Sequence, residues 1–282
     1  MKKNIAKNYK DILSIPDDLK KNLPTSYDTV GNIALLKINK SLLVYRRKIG
    51  ESLLEANKNI RTVCVVKPVS GEYRTREVEI IAGEKKTETL HKEYGLMFFL
   101  DVKKTYFSPR LANERKRISN LVKPDETIVD MFTGVAPFPI MIAKYSEPKI
   151  IFAVDKNRHA IYYAQKNITI NNVLDKVEPI HEDAVNLPKT LKKYKVKADR
   201  IIMNLPFSNI DFFNKALNIA ANKCVIHYYD IQAEENINAI IDKLTKIAKR
   251  EKVEIIFYKV NKIKSYSAHE FYIGVDITTK KI

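Results

Sequence analysis

From residue 126 onward, short apolar runs alternate with stretches of helical apolar spacing. ETIVDMF (126–132), KIIFAVD (149–155), DKVEPIHED (175–183), ADRIIMN (198–204) and KCVIHYYD (223–230) read as five strands. A continuous apolar run bounded by turn residues is the pattern of a strand covered on both faces. APFPIMIAKYS (136–146) and RHAIYYAQKNITINN (158–172) read as helices, and a long helix over 231–250 precedes two closing strands, EKVEIIFYKV and EFYIGVDI. Alternation of strand and helix with short loops predicts a doubly wound, mostly parallel sheet. The chain before residue 105 has another rhythm. DTVGNIALLKI (28–38) reads as a strand opened by a turn and GESLLEANKNI (50–60) as a helix, while RTVCVVK, REVEIIAG, TETLHKEY and LMFFLDV are four strand-like runs. The expected fold class is therefore α/β, with a smaller N-terminal α+β domain over 1–105 and the doubly wound domain over 106–282. The connector TYFSPRLANERKRI (105–118) turns at Ser108-Pro109 and then begins a helix with charge on several faces.

Composition narrows the function classes. The 282 residues are 45% apolar and 29% charged, a soluble globular balance with room for two unequal domains. No apolar run approaches the length of a membrane span, and the basic N-terminus MKKNIAKNYKD lacks the apolar core of a secretory signal. Cys64 and Cys224 have neither zinc spacing nor the number for a disulfide framework, so a reducing cytoplasm is expected. His91, His181, His227 and His269 suggest no metal site. Fifty Lys plus Arg against 33 Asp plus Glu give +17, which favours a polyanionic partner, nucleic acid or an anionic membrane surface. A lysine-rich genome would give the same excess without any RNA function.

The strand ends carry the candidate chemistry. Ligands of doubly wound sheets bind beyond the carboxyl ends of the strands. The first strand ends in Asp130 and runs into Phe132, Thr133, Gly134 and Val135, where a glycine lets the chain turn beside a helix N-terminus. With Ala136 in place of a second glycine this is no dinucleotide fingerprint. The second strand ends in Asp155, where a carboxylate holds a ribose diol, and the third runs into Asp183, placed to meet an adenine amino group. The fourth ends in RIIMNLPF, in which Asn204, Pro206 and Phe207 put an amide and a flat ring, stiffened by proline, at the lip of the sheet. Singly, each acid also reads as a solvated loop or a helix cap. Four such groups at successive strand ends read as a nucleoside site.

VDMFTGVAPFPI, FAVDKN, HEDA and NLPF resemble the S-adenosylmethionine site of a class I methyltransferase with its Rossmann-like fold. More narrowly, GEYRTREVEIIAGEKKTETLHKEYGLMFFLDVKKTYFSPRLANERKRI and the tail VNKIKSYSAHEFYIGVDI resemble the archaeal and eukaryotic tRNA guanine-N1 methyltransferase family acting at tRNA position 37. The resemblance runs from about residue 24 to the end, and YFSPRLANER is its most specific part. Thr133 and Ala136 depart from the family's usual cofactor loop, and the chain begins close to the family's second domain, so its small first domain is expected to be missing. The resemblance implies S-adenosylmethionine as cofactor and the tRNA anticodon loop as partner, with no membrane and no protein partner. It makes Glu114 the general base for the N1 proton and Arg74 the cation that meets O6. Tyr106 and Phe207 are candidate stacking surfaces for a base lifted from its loop, Asn204 and Pro206 orient its edge, and Arg110, Arg115, Lys116 and Arg117 would touch phosphates. Without the resemblance, Glu114 in NERKR would read as a surface ion pair and Tyr106 as a hydrophobic staple. Three alternatives stay open: methylation of wyosine precursors on the same nucleotide, transfer of the donor's aminocarboxypropyl arm, and a basic RNA-binding protein without catalysis.

Overall fold

The computed structural model describes residues 8–282, so the first seven residues of MKKNIAKNYKD lie outside the described residues. The described residues form two compact units, the first ending at Ala112 and the second spanning Asn113–Ile282.

In the first unit the short helices α1 (Tyr9–Ile12) and α2 (Asp17–Lys20) precede β1 (Asp28–Val30), β2 (Ile33–Leu36), α3 (Arg46–Ala56), β3 (Thr62–Val66), β4 (Val78–Gly83), β5 (Glu88–Glu93) and β6 (Leu96–Asp101). The stretch 28–38, expected as one strand, is the hairpin β1–β2. Its two-residue turn starts at Gly31 with φ +56°, which glycine adopts without the steric cost of a Cβ. A sheet in the order β1-β2-β3-β4 follows, with β2 and β3 parallel and α3 as their crossover. Ile49 and Leu53, one turn apart on α3, bury against Leu36, Val63 and Ile81. β5 and β6 form a separate antiparallel hairpin.

The second unit carries α4 (Ala112–Ser119, beginning at the boundary), β7 (Thr127–Asp130), α5 (Pro137–Tyr145), β8 (Ile150–Asp155), α6 (Arg158–Ile170), β9 (Val177–His181), α7 (Leu187–Lys193), β10 (Ala198–Met203), α8 (Phe213–Ile219), β11 (Ala220–Ala233), α9 (Ile237–Arg250), β12 (Val253–Ser265) and β13 (Glu270–Lys281). Its seven strands lie in the order β12-β13-β11-β10-β7-β8-β9. The run from β11 to β9 is parallel, as the alternating pattern predicts, and β13 is antiparallel to both its neighbours. The chain order reverses between β7 and β10, so the ligand crevice of such a sheet opens there. β7, β8 and β10 are buried almost throughout, which explains their unbroken apolar runs.

Two details depart from the sequence reading. The helix expected over 231–250 starts at Ile237, because Ile231, Gln232 and Ala233 continue β11 against Tyr272, Phe271 and Glu270. A long-range ladder there overrides helical spacing. α7 and α8 were not anticipated; at seven residues each they are too short to show a period. The Lys-rich stretch 190–197 covers the end of α7 and the loop to β10, with Leu191 buried and its lysines solvated.

Gly83 closes β4 with φ +86°, and a Cβ built on it would lie 2.0 Å from the Arg61 carbonyl oxygen. Backbone cannot yield as a flexible side chain can. Gly83→Ala is therefore expected to destabilise the protein by about 1–3 kcal/mol, read as a lower urea midpoint; an unchanged midpoint would contradict this packing.

Candidate active site

The parallel strands bring the predicted strand-end residues to one edge of the sheet. Asp130 stands opposite Ile202 of β10 and Ala153 of β8, and Asp155 opposite His181 of β9. After β7 the loop stays pinned to both neighbours: the Met131 amide donates to Ile202 O at 3.0 Å and the Thr133 amide to Val154 O at 2.8 Å. Gly134 and Ala136 then take left-handed conformations, φ +57° and +64°, before Pro137 opens α5. The Gly134 amide donates to Asp155 Oδ2 at 2.8 Å and the Asn157 amide to Oδ1 at 2.8 Å, so the Asp155 carboxylate is held by backbone on both oxygens. Val135 is buried, its carbonyl accepting from Asn167 Nδ2 at 3.1 Å. Phe132 packs edge-on against Phe212 at 5.2 Å. Asp183 accepts from the Val185 amide at 2.9 Å and lies 3.8 Å from Lys156 Nζ.

Asp130 is in a different state. Its Oδ1 accepts a long bond of 3.4 Å from the Phe132 amide, while Oδ2 and the Thr133 hydroxyl, which lies near enough to favour the charged carboxylate, make no hydrogen bond of good geometry among the described residues. Burial pushes the Asp130 carboxyl up to about 7; the Thr133 hydroxyl and the Phe132 amide offset part of this, and the Asp155 charge adds to it. Burial also raises Asp155, against the amides of Asn157 and Gly134. Buried polar atoms are normally paired. Two such atoms on neighbouring residues leave hydrogen-bonding capacity at the carboxyl end of β7.

The RIIMNLPF lip is built with strain. Asn204 Oδ1 accepts from the Tyr272 hydroxyl, which ties the lip to β13. Phe207 has φ +72°, an outlier for a bulky residue, at a cost of about 1–3 kcal/mol. Its amide is held by Asp230 Oδ1 at 3.0 Å, and its ring, 55% exposed, meets Tyr266 edge-on at 5.8 Å. Pro206 and the Asn209 side chain, which donates to Tyr229 O at 2.6 Å and to Met203 O, secure the turn. Asp230, Tyr272, Asn209 and Tyr266 were not singled out from sequence. Only Asp230 had a signal, as the acid that ends KCVIHYYD.

Glu114 is not the surface ion pair that NERKR suggests by itself. It is 5% exposed. Arg117 grips it with two bonds, Nε to Oε2 and Nη2 to Oε1, both 2.8 Å, and the Tyr229 hydroxyl donates to Oε1 at 2.7 Å. Tyr229 and Tyr272 are diagonal neighbours on β11 and β13 with ring centroids 6.1 Å apart, so one tyrosine holds Glu114 while the next holds Asn204. One of the phosphate contacts expected of the connector needs correction. Arg115 is 1% exposed and cannot reach a phosphate from there. Arg117 commits four of its five donors, two to Glu114 and two to Asp276, the latter at 2.7 and 3.0 Å. Lys116 lies over the Tyr145 ring at 3.6 Å.

In the first unit, Arg74 occupies the turn after Gly71 with φ +50°, half-buried, its amide donating to Gly71 O at 3.1 Å. Tyr106 is 38% exposed under the Arg76 guanidinium, 5.4 Å from its ring centroid. Arg110 pairs with Asp28 at 2.6 Å, its side chain still half-exposed. A hollow of about 830 Å³ runs along β4 between Arg46, Arg47, Lys85 and Lys103, and none of the predicted site residues lines it. Among the described residues no group of His, Cys, Asp or Glu could hold a metal, and no helix is long and apolar enough to cross a membrane.

The raised Asp130 carboxyl makes a stability prediction. Its folded value near 7 exceeds the ordinary carboxylate value of 3.8, so between those two values the folded chain binds the proton that the unfolded chain has released. Stability contributed by this group is present at low pH and lost as pH rises toward 7. Asp130→Asn should remove that loss, making the variant more stable than wild type at neutral pH by up to about 4 kcal/mol, from about 1.4 kcal/mol per pH unit, with the gap closing near pH 4. Urea titrations of both proteins across this range test it; a gap independent of pH would contradict it.

Residues 89–256 match the family described as TRM5/TYW2 methyltransferase domain, and residues 9–87 match the TYW2 N-terminal domain. A tRNA (guanine(37)-N(1))-methyltransferase Trm5b of Pyrococcus abyssi is 40% identical over 273 residues, 95% of this chain and 79% of that protein. Its crystal structure superposes with a TM-score of 0.84 at 38% identity, covering 98% of this chain and 81% of that one. A tRNA(Phe) (4-demethylwyosine(37)-C(7)) aminocarboxypropyltransferase of Methanocaldococcus jannaschii is 34% identical over 257 residues, 91% of this chain and 98% of that protein. The crystal structure of M. jannaschii TYW2 in complex with AdoMet gives a TM-score of 0.70 at 30% identity, covering 91% of this chain and 100% of that one. With that family's domain matched over more than half of its length, the chain belongs to the TRM5/TYW2 methyltransferase family.

Proposed function

We propose that the chain transfers a methyl group from S-adenosylmethionine to N1 of guanosine at position 37 in the tRNA anticodon loop. The observation that carries this reading is the tyrosine pair. Tyr229 and Tyr272 hold a buried carboxylate, Glu114, and a strand-end amide, Asn204, on adjacent rings of one unit. Guanine N1 carries a proton and is a poor nucleophile until a base removes it. When bound, S-adenosylmethionine would supply an electrophilic methyl group, its sulfur keeping the bonding pair.

The crevice fits that donor on its own terms. The buried Asp130 Oδ2 and Thr133 hydroxyl suit a ligand rich in ammonium and hydroxyl donors. Asp155, set by two backbone amides, would accept the ribose hydroxyls, Asp183 would accept from the adenine amino group, and the loop of Phe132, Gly134 and Val135 would let the ligand approach the backbone. Glu114 Oε2 accepts one bond, from Arg117 Nε, and so keeps a lone pair for the N1 proton. Asn204 presents its amide to the base edge, and Phe207 with Tyr266 gives an exposed aromatic surface on which an extruded base stacks. For Arg74 the proposal is chemical: a guanidinium offsets the charge that develops on O6. The +17 charge of the chain favours tRNA as the polyanion, and the cytoplasm, which holds tRNA, as the place of action.

A second reading, transfer of the aminocarboxypropyl arm, draws on the relative of that activity and on the TYW2 N-terminal match. The methyl reading is preferred because it needs a proton acceptor and Glu114 supplies one. Glu114→Gln keeps shape and hydrogen bonding but cannot take the proton. Single-turnover methylation should fall by about 10²-fold or more with donor and tRNA affinity preserved. Wild-type rates in the variant would return Glu114 to a structural role.

A further inference from the structure

Arg117 lies between two carboxylates of the second unit. On one side it grips Glu114; on the other its Nη1 and Nη2 donate to Asp276 of β13 at 2.7 and 3.0 Å. Side-chain exposure is 4% for Glu114, 30% for Arg117 and 15% for Asp276, so the three charges interact through protein more than through water. The triad holds two negative charges and one positive. A lone Glu–Arg pair would be neutral and a poor proton acceptor, because taking a proton would strand the guanidinium. With Asp276 present, the proton cancels an excess charge instead.

Its surroundings decide which carboxylate takes that proton. Asp276 fills its roughly four acceptor sites: Oδ1 from Arg117 and from His227 Nδ1 at 2.6 Å, Oδ2 from Arg117 and from Asn261 Nδ2 at 3.0 Å. His227 is 1% exposed, and Arg200 Nη1 reaches its Nε2 at 2.7 Å. A guanidinium only donates, so Nε2 accepts and the proton sits on Nδ1, aimed at Asp276. Arg200 in turn is closed off by Glu126, at 2.7 and 3.0 Å, a neutral pair at the start of β7. Among the described residues, the other hydrogen-bond partner of Glu114 is the Tyr229 hydroxyl, which donates to Oε1. The open position in the triad is therefore Glu114 Oε2.

We propose that Asp276 sets the basicity of Glu114 by sharing the charge of Arg117, which makes Asp276 a positioning residue for the N1 proton transfer. The inference rests on Glu114 being the proton acceptor. His227, Asn261 and the Arg200–Glu126 pair hold Asp276 in its charged form and orient it. The reaction needs Arg117 to fix Glu114 and needs Asp276 to keep Arg117 from silencing it.

The test is single-turnover methylation of a tRNA transcript as a function of pH, with donor affinity measured alongside as the check on folding. Asp276→Asn should lower the plateau rate by about tenfold and move the acid limb to lower pH. Arg117→Gln should move the acid limb the opposite way, to higher pH. In a Glu114→Gln background, Asp276→Asn should change the residual rate by less than about twofold, since its path of action is gone. Limbs that stay fixed, or that move in the same direction in both variants, would overturn the proposal, as would full additivity with Glu114→Gln. If Asp276→Asn loses donor affinity, the limb of Arg117→Gln decides alone, and an unmoved or lowered limb overturns it. A Glu114→Gln enzyme with wild-type rate and limb instead removes the base reading beneath it, a result distinct from failure of the Asp276 arm.

Discussion

Parallel pairing of β9, β8, β7, β10 and β11 is the constraint on which the site of the second unit depends. Because these strands share one direction, their carboxyl ends fall on one edge, and residues far apart in sequence become neighbours there. Asp130, Asp155, Asp183 and Asn204 need no loop of unusual length to converge; they need only to end their strands. Apolar runs that bury both faces hold the sheet, and the reversal between β7 and β10 opens the crevice.

Onto that frame the protein places groups that each oppose stability. Asp130 is buried with an oxygen that makes no hydrogen bond of good geometry among the described residues, Phe207 sits in a left-handed conformation, and Glu114, Arg117 and Asp276 bury a net charge. Removing one member of a buried ion pair typically costs about 3–5 kcal/mol, so such groups persist only where their surroundings over-determine them. Here those surroundings are specific. Asp230 holds the Phe207 amide, Tyr229 and Tyr272 hold Glu114 and Asn204, and His227 with Asn261 holds Asp276. Gly274 belongs to the same scheme, since a Cβ there would come within 3.0 Å of the Tyr229 ring.

The sheet and its strand-end residues were legible in sequence because they are written locally, as apolar runs and the polar residue that ends each. The connector was less legible. NERKR looks like a solvated helix face, yet Arg115 is buried and Arg117 bridges α4 to β13. Its partner Asp276 lies 159 residues away, and nothing in the spacing of either stretch announces the pair. The start of α9 was misplaced for the same reason, a ladder to β13 that local periodicity cannot register. Tyr272 and Tyr229 looked like ordinary strand tyrosines; their hydroxyls gain meaning only from what the antiparallel pairing of β11 and β13 sets beside them.

The central claim is that the methyl group, and not another arm of the donor, is delivered to guanine N1. Two preparations of S-adenosylmethionine, one labelled in the methyl carbon and one in the carboxyl carbon, can be incubated with the protein and a tRNA transcript carrying guanosine at position 37. The tRNA is then digested to nucleosides and the labelled product identified by chromatography and mass. The account predicts methyl label in N1-methylguanosine from position 37 and no carboxyl label in the tRNA. Carboxyl label on the tRNA, or methyl label at any other atom or position, would contradict it.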